Sequence, residues 1–390
     1  MKYKYATIDI ETTGLNRFKD EITWIGIGLT EDVNSECKIK TFDMASHSDV
    51  KAFMQAVERM RSDKMKTVFQ NGKFDTLFIE AKFGIKLPIH DDVMLMGTAY
   101  DLAAEHGLKK MAQVYLGVPD WDISKKEKTN GKSKSIRPYL RKDVCYTWEL
   151  FQFFFEKMTD VQMKIYRELL RPAYLMYRDV ERNGAYVDIP ALHECQKKYA
   201  KIEKDCLAQL KSRYDINWNS SGQVAEVLFD KEGLPILKKS KKTGKPSADA
   251  AVLKRLAAKG HKLPQLILDY KAANTLNKMF LNRWEGDLGP DKRIHPSFNL
   301  TNVVSGRTSC QNPNLQQVPR TKDVRAIYKA PPGRLFFEAD YSQLELRIAA
   351  DYANDKTMLD IYLHGGDIHT TTAKLMTGGR EPTKEERGKA

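Results

Sequence analysis

The first hundred and fifty residues constrain the fold most, because two hydrophobic periods alternate within them. Residues 5 to 10 repeat with the period of two that suits a strand, a turn containing Gly14 follows, and Ile22 to Leu29 reads as a second strand. A hairpin therefore opens a sheet. Helical spacing then intermixes with strands. Ser48 to Arg61 is predicted helical with Ser48 as its N-cap, Lys66 to Gln70 is a short strand and Asp92 to Ala103 a helix. Pro138 stands at the first position of a long helix that runs toward Met158. An α/β domain over residues 1–158 accounts for this pattern. Before its last helix, Ser124 to Arg137 holds Lys125, Lys126, Lys128, Lys132 and Lys134 and reads as an exposed basic loop.

From Val161 to Trp284 the apolar spacing is mostly helical, as in Leu169, Ala173, Met176, Tyr177 and Val180. A basic, turn-rich segment from Lys238 to Ser247 interrupts it. A helical domain over residues 159–290 follows. After Pro290 the pattern changes again, and Arg334 to Ala339 reads as a buried strand that delivers the carboxylate of Asp340, so residues 291–390 begin a third unit.

Composition excludes several function classes. Hydrophobic residues at 42% and charged residues at 29% are ordinary for a globular chain, and no stretch approaches the ~18 consecutive apolar residues of a membrane span. The formal charge, 64 − 51 = +13, favours polyanions, nucleic acid before membrane. Five cysteines without a C-x-x-C pair support neither a disulfide framework nor a Cys-rich zinc site, which points to a reducing cytoplasm. Asp9 and Glu11 fall where an apolar export signal would have to continue.

Those two acids are i and i+2 on the first strand, so they share a face while Ile10 points into the core. Alone, such a pair also fits a solvated strand end. Asn71-Gly-Lys-Phe-Asp75 supplies a further carboxylate just after a strand, with Asn71 as a polar partner and Phe74 as a packing residue. Tyr139 and Asp143 are four apart on one face of the helix that Pro138 introduces. Four acids and a phenol drawn from three separate elements suit two-metal phosphodiester hydrolysis, in which oxygen ligands hold two Mg²⁺ or Mn²⁺ roughly 3.5 to 4 Å apart. Asp91 and Asp92 precede a helical run and read as N-cap residues outside that site.

In this order, Asp9 with Glu11, Asn71 to Asp75 and Tyr139 to Asp143 resemble the three motifs of the proofreading, ribonuclease-H-like 3′-5′ exonucleases, in the variant with Tyr in the last motif. The resemblance implies that Asp9, Glu11, Asp75 and Asp143 hold the metals. It makes Tyr139 the residue that orients the attacking water and Phe74 part of its support.

A second resemblance covers the remainder. Asp340-Tyr-Ser-Gln-Leu-Glu-Leu-Arg347 is similar to motif A of the family A DNA polymerases, the bacterial DNA polymerase I type, with Leu344 in place of the usual Ile. It implies that Asp340 binds both catalytic Mg²⁺ ions, that Tyr341 lends its backbone carbonyl, and that Glu345 packs where a ribonucleotide 2′-hydroxyl would sit. Ser305 to Ser309 with Pro313 to Pro319 resembles the primer-template segment, where Arg307, Asn314 and Gln316 would contact the duplex, although Gln317 stands where Asn is usual. Arg293 to His295 resembles the strand before it, and Asp367-Ile-His369 the fingers entry, with His369 at the incoming triphosphate. Glu181 to Gly184 with Val187-Asp188 is similar to the palm-to-thumb entry, and Asn219 to Gln223 to the thumb segment that grips the duplex. Lys238, Lys239, Lys241, Lys242 and Lys245 by themselves read as a solvated loop; on a thumb they suit phosphate binding, since each neutralised phosphate releases counterions.

The resemblance thus implies an α/β ribonuclease-H-like exonuclease domain, a mainly α thumb and the first part of an α+β palm and fingers. Arg387 and Lys389 stand where triphosphate-binding cations would fall. The Tyr-Gly end of the fingers helix, the second palm carboxylate and a preceding 5′ nuclease domain are not found in the 390 residues. The expected chain is an exonuclease joined to an incomplete polymerase, and a compact polymerase without a 5′ nuclease is a kind common among phages. It would act on primer-template duplex and single-stranded 3′ ends, and use deoxynucleoside triphosphates once a carboxy-terminal half completes it. Two other readings stay open: a free-standing 3′-5′ exonuclease with a vestigial thumb, and a non-catalytic DNA-binding subunit.

Overall fold

A computed structural model describes residues 3–131, 133–241 and 243–389. The chain divides into two units, residues 1–329 and 330–390.

In the first unit, β1 (Tyr5–Thr12), β2 (Ile22–Thr30) and β3 (Lys38–Asp43) pair antiparallel. The helix α1 (His47–Ser62) then carries the chain across to β4 (Lys66–Phe69), which pairs with β1 in parallel, as a crossover connection allows. After α2 (Gly72–Phe83), β5 (Asp91–Asp92) completes a mixed sheet of order β3-β2-β1-β4-β5. The central strand β1 is covered on both faces: Ala6, Ile8 and Ile10 are buried on one, Thr7 and Glu11 on the other.

Next come α3 (Val93–Tyr100), α4 (Leu108–Met111), α5 (Lys125–Thr129) and α6 (Ile136–Lys157). Along α6, Leu140, Val144, Thr147, Trp148, Phe151 and Phe154 recur at helical spacing and are buried. Complete burial of Phe151 and Phe154 stabilises the domain by roughly 1.5–3 kcal/mol each. The helix lies close against β2 because Gly26 and Gly28 have no side chains: a Cβ on either would come within 2.7 and 2.9 Å of Val144. That approach sets the height of Tyr139 and Asp143 above the sheet.

Several boundaries differ from those expected. The Oγ of Ser46 accepts from the Asp49 N–H, so the cap lies two residues before Ser48 and α1 starts at His47. Asp92 does cap α3, but the backbone turns extended at Asp101 and ends the helix there. Helix α6 begins at Ile136, with Pro138 in the first turn, where its missing N–H needs no partner. The basic loop holds a short helix, α5, closed by a reciprocal cap between Ser124 and Glu127. Lys132 lies outside the described residues.

The helical region contains two further cores. One joins the long helices Ile189–Lys211 and Lys262–Leu276 around Leu210, Trp218, Leu228, Leu253 and Ile267. The other gathers Val187, Leu192, Leu281, Trp284, Ile294 and Ile327. Among the described residues, no helix is long and apolar enough to cross a membrane.

Residues 330–390 form helices at Leu344–Ala353, Lys356–Leu363, Ile368–Met376 and Lys384–Arg387. Arg334 to Ala339 is not the buried strand that its apolar run predicts. Among the described residues this unit holds no strand to pair with it, so its backbone joins no ladder, and Leu335 and Phe337 are more than nine-tenths exposed.

Candidate functional site

Asp9 and Glu11 leave β1 on the face that α6 covers, and Asp143 descends from α6 to meet them. One ligand oxygen from each lies within 4.8 Å of the others. Glu11 and Asp143 are buried and Asp9 is half-buried. Asp75 reaches the same strand by another route. Strand β4 pairs with β1 only as far as Thr7, and the unpaired Ile10 N–H beyond it donates to Asp75 Oδ1 at 3.1 Å. Asp75 is buried in the first turn of α2 beside Asp9.

The electrostatics follow from this crowding. Burial raises the carboxyl of Asp9, Asp143 raises it further, and Lys109 opposes both. Glu11 is raised by burial and then by Asp9 and Asp143, against Lys109 and Lys128. For Asp143, burial outweighs the lowering by Lys109, Trp121 and Tyr139. Burial also pushes the Tyr139 phenol up, reinforced by Asp143 and Glu11, so it keeps its proton. Buried carboxylates that repel one another offer hard oxygen ligands, and the set fits Mg²⁺ or Mn²⁺.

Two neighbours carry no motif signal. Lys109 Nζ donates to Tyr139 Oη at 2.6 Å and to both oxygens of Asp143 at 2.8 and 2.6 Å. Trp121 Nε1 donates to Asp143 Oδ1 at 2.6 Å. Lys109 belongs to an ordinary Lys-Lys pair and Trp121 to a loop, and only the tertiary fold brings them to Asp143. Asn71 adopts a left-handed conformation, its side-chain oxygen accepting from Tyr174, and Phe74 packs on Phe78. Asp92 accepts from the N–H groups of Asn71, Gly72 and Met94, and Asp91 from the Tyr166 hydroxyl, so both are engaged in holding the fold.

Elsewhere in the first unit, Arg293–Ile294 pairs antiparallel with Ala185–Tyr186. Arg307 precedes the short strand Ser309–Gln311 and Asn314 and Gln316 follow it, where Asn314 caps the Gln316 N–H and Gln316 reaches back to donate to Thr308. Lys238 to Ser247 folds back on itself: Ser240 N–H donates to Lys245 O and Ser247 N–H to Lys238 O, each at 2.9 Å. Lys239, Lys241 and Lys245 are exposed on this turn, whereas Lys238 is paired with Asp249 at 2.6 Å. Lys242 lies outside the described residues.

In the second unit, Asp340, Tyr341 and Glu345 are exposed at the start of the first helix, and His369 is half-buried. Arg387 bonds to Asp367 and Thr370, and Lys389 to Glu385.

Comparison with known proteins matches the family of 3′-5′ exonucleases over residues 1–159 and DNA polymerase family A over residues 191–390. A DNA polymerase I of Pseudomonas aeruginosa is 29% identical over 402 residues, covering 95% of this chain and 43% of that protein. One of Rhizobium leguminosarum is 30% identical over 338 residues, covering 82% and 33%. The thermostable DNA polymerase I of Thermus aquaticus is 34% identical over 223 residues, covering 55% and 26%. The chain thus spans less than half the length of each of these relatives. Its fold matches the polymerase domain of Pol1 from M. smegmatis, solved with DNA primer-template and dNTP, with a TM-score of 0.80 at 22% identity over 99% of this chain and 66% of that one. The acidic cluster thus falls in an exonuclease-type segment, and the segment from residue 191 onward matches a polymerase family over half the chain; the protein belongs to DNA polymerase family A.

Proposed function

We propose that residues 1–158 are a ribonuclease-H-like, metal-dependent 3′-5′ DNA exonuclease, that residues 159–290 hold the thumb, and that residues 291–390 are the first part of the palm and fingers. The protein would proofread during DNA synthesis in replication or repair, in the cytoplasm of a bacterium or a phage-infected cell. The observation that carries the nuclease reading is the convergence of Asp9, Glu11 and Asp143 within 4.8 Å beneath Tyr139. The mixed sheet order, with the first two acids on its central strand, supports it.

In this reading Asp9, Glu11, Asp75 and Asp143 would hold two Mg²⁺ or Mn²⁺, which would supply Lewis-acid activation of water and charge stabilisation. Tyr139 orients the water. Its oxygen accepts from Lys109, so its own O–H is left to donate. The phenol keeps its proton because burial among carboxylates disfavours phenolate. Trp121, which donates to Asp143, and the buried face of α6 hold that carboxylate in place.

For the polymerase portion, Arg307, Asn314, Gln316 and the lysines from Lys238 to Lys245 would grip the duplex. Asp340 and the Tyr341 carbonyl would hold metal, with Glu345, His369, Arg387 and Lys389 near a deoxynucleoside triphosphate.

The test is a 5′-labelled single strand incubated with the chain. Stepwise shortening from the 3′ end in Mg²⁺, absent with a chelator, supports the reading; internal cuts, or shortening that survives chelation, would refute it.

A further inference from the structure

We infer that Lys109 is the built-in counter-ion of the nuclease site, a positioning residue that joins Asp143 and Tyr139 into one hydrogen-bonded unit and competes with divalent ions for Asp143. This rests on the exonuclease reading above.

An ammonium has three donors and no acceptor. Those of Lys109 go to both oxygens of Asp143 and to the hydroxyl oxygen of Tyr139, at 2.6 to 2.8 Å, so the group is saturated by these two residues. Its direction is imposed by α4, where the flanking Leu108 and Met111 are buried. Its charge also lies 4.2 Å from the centre of the Tyr139 ring and 5.3 Å from that of Trp121, an aromatic pair that holds a cation on its faces. Asp143 has only 6% of its side chain exposed, and Lys109 is its salt-bridge partner.

Two consequences follow. The Tyr139 oxygen is fixed as an acceptor, which orients its own proton for donation. The oxygens of Asp143 are engaged by a positive charge, so a divalent ion binding there must displace the ammonium or bind against it. Lys109 therefore weakens metal binding while improving the arrangement that cleaves. A lysine that merely supported the fold would, on removal, weaken both.

The experiment is a Mn²⁺ titration of the full chain without DNA, followed by paramagnetic resonance, paired with trimming rates at saturating Mn²⁺. The variants are Lys109→Met, Lys109→Gln and Lys109→Arg, with Asp9→Ala/Glu11→Ala to assign the binding curve to this site. Removing a like charge a few ångströms from the ion should tighten Mn²⁺ roughly ten-fold in Lys109→Met. Loss of Tyr139 positioning should slow trimming roughly a hundred-fold. Lys109→Arg should restore the weaker affinity and most of the rate. Unchanged or weaker Mn²⁺ binding in Lys109→Met, or an unchanged rate, would overturn the inference. If Lys109→Met does not fold, Lys109→Gln, which keeps a donor without the charge, must show the same tightening or the inference fails. A wild-type chain that neither binds Mn²⁺ nor trims DNA would instead sink the nuclease reading, and the inference with it.

Discussion

Lys73 Nζ lies 2.5 Å from Glu181 Oε1, and both side chains are about 95% removed from solvent. The same ammonium donates to the Phe298 carbonyl, and Glu181 accepts from the Phe298 N–H at 2.7 Å. Helix α2, which carries Asp75 two residues after Lys73, is thereby tied to the segments that follow the nuclease domain. Lys73→Met would leave Glu181 as an uncompensated buried charge and should destabilise the protein by about 3–5 kcal/mol. The double variant Lys73→Met/Glu181→Met should recover most of that loss. Urea titration of the wild type, Lys73→Met, Glu181→Met and the double variant checks this, and additive losses would contradict the coupling.

The acidic cluster predicts a pH dependence. Burial and mutual repulsion raise Asp9 to about 8 and Glu11 to about 9 in the metal-free fold. The folded state thus binds more protons than the unfolded one between the ordinary carboxylate range and about pH 9. Stability contributed by these groups is present below that window and lost as pH rises through it, by at most about 1.4 kcal/mol per proton per pH unit. In a chelator, the wild type should lose more thermal stability between pH 5 and 9 than Asp9→Asn/Glu11→Gln, and Mn²⁺ should restore the difference at pH 8. Parallel melting curves for the two proteins, with and without Mn²⁺, would count against the cluster.

The basic turn predicts a graded effect of its lysines. Lys239, Lys241 and Lys245 are exposed, while Lys238 is already paired with Asp249. Replacing the first three with Gln should lower the slope of log affinity against log salt by up to ~0.9 for each phosphate that is no longer neutralised. Lys238→Gln should change it less. Equal slopes in binding titrations on a duplex would return the turn to a solvated loop.

Asp340 and the nuclease acids should separate by activity. In a chain that carries a whole family A polymerase domain, Asp340→Ala should abolish templated addition and leave 3′ trimming within about two-fold of wild type, since transfer needs the palm carboxylate to hold metal. Glu345→Ala should admit ribonucleotides more readily. Primer extension and trimming on one labelled duplex reads both, and loss of trimming in Asp340→Ala would contradict the separation.

Local rules made much of the first domain legible. Alternation gave the hairpin of β1 and β2, and i+4 spacing put Tyr139 and Asp143 on one face of α6. The parallel pairing of β1 with β4 and the edge strand β3 were not legible, because neither carries a signal stronger than a short apolar run. Asp92 reads correctly as a cap, yet its bonds to Asn71 and Gly72 depend on a strand pairing twenty residues distant. Lys109 and Trp121 escaped entirely, since residue type and spacing say nothing about which loops converge on Asp143. The apolar run from Leu335 to Phe337 misled for the opposite reason: a strand is a property of its partners as much as of its own residues.

The most direct test of the nuclease site is the trimming rate of a 5′-labelled single strand by the wild type, Asp9→Ala/Glu11→Ala and Tyr139→Phe, each paired with Mn²⁺ binding. The double variant should lose both trimming and metal, whereas Tyr139→Phe should slow trimming roughly a hundred-fold and still bind Mn²⁺. Trimming by the double variant at the wild-type rate would contradict the assignment of the site.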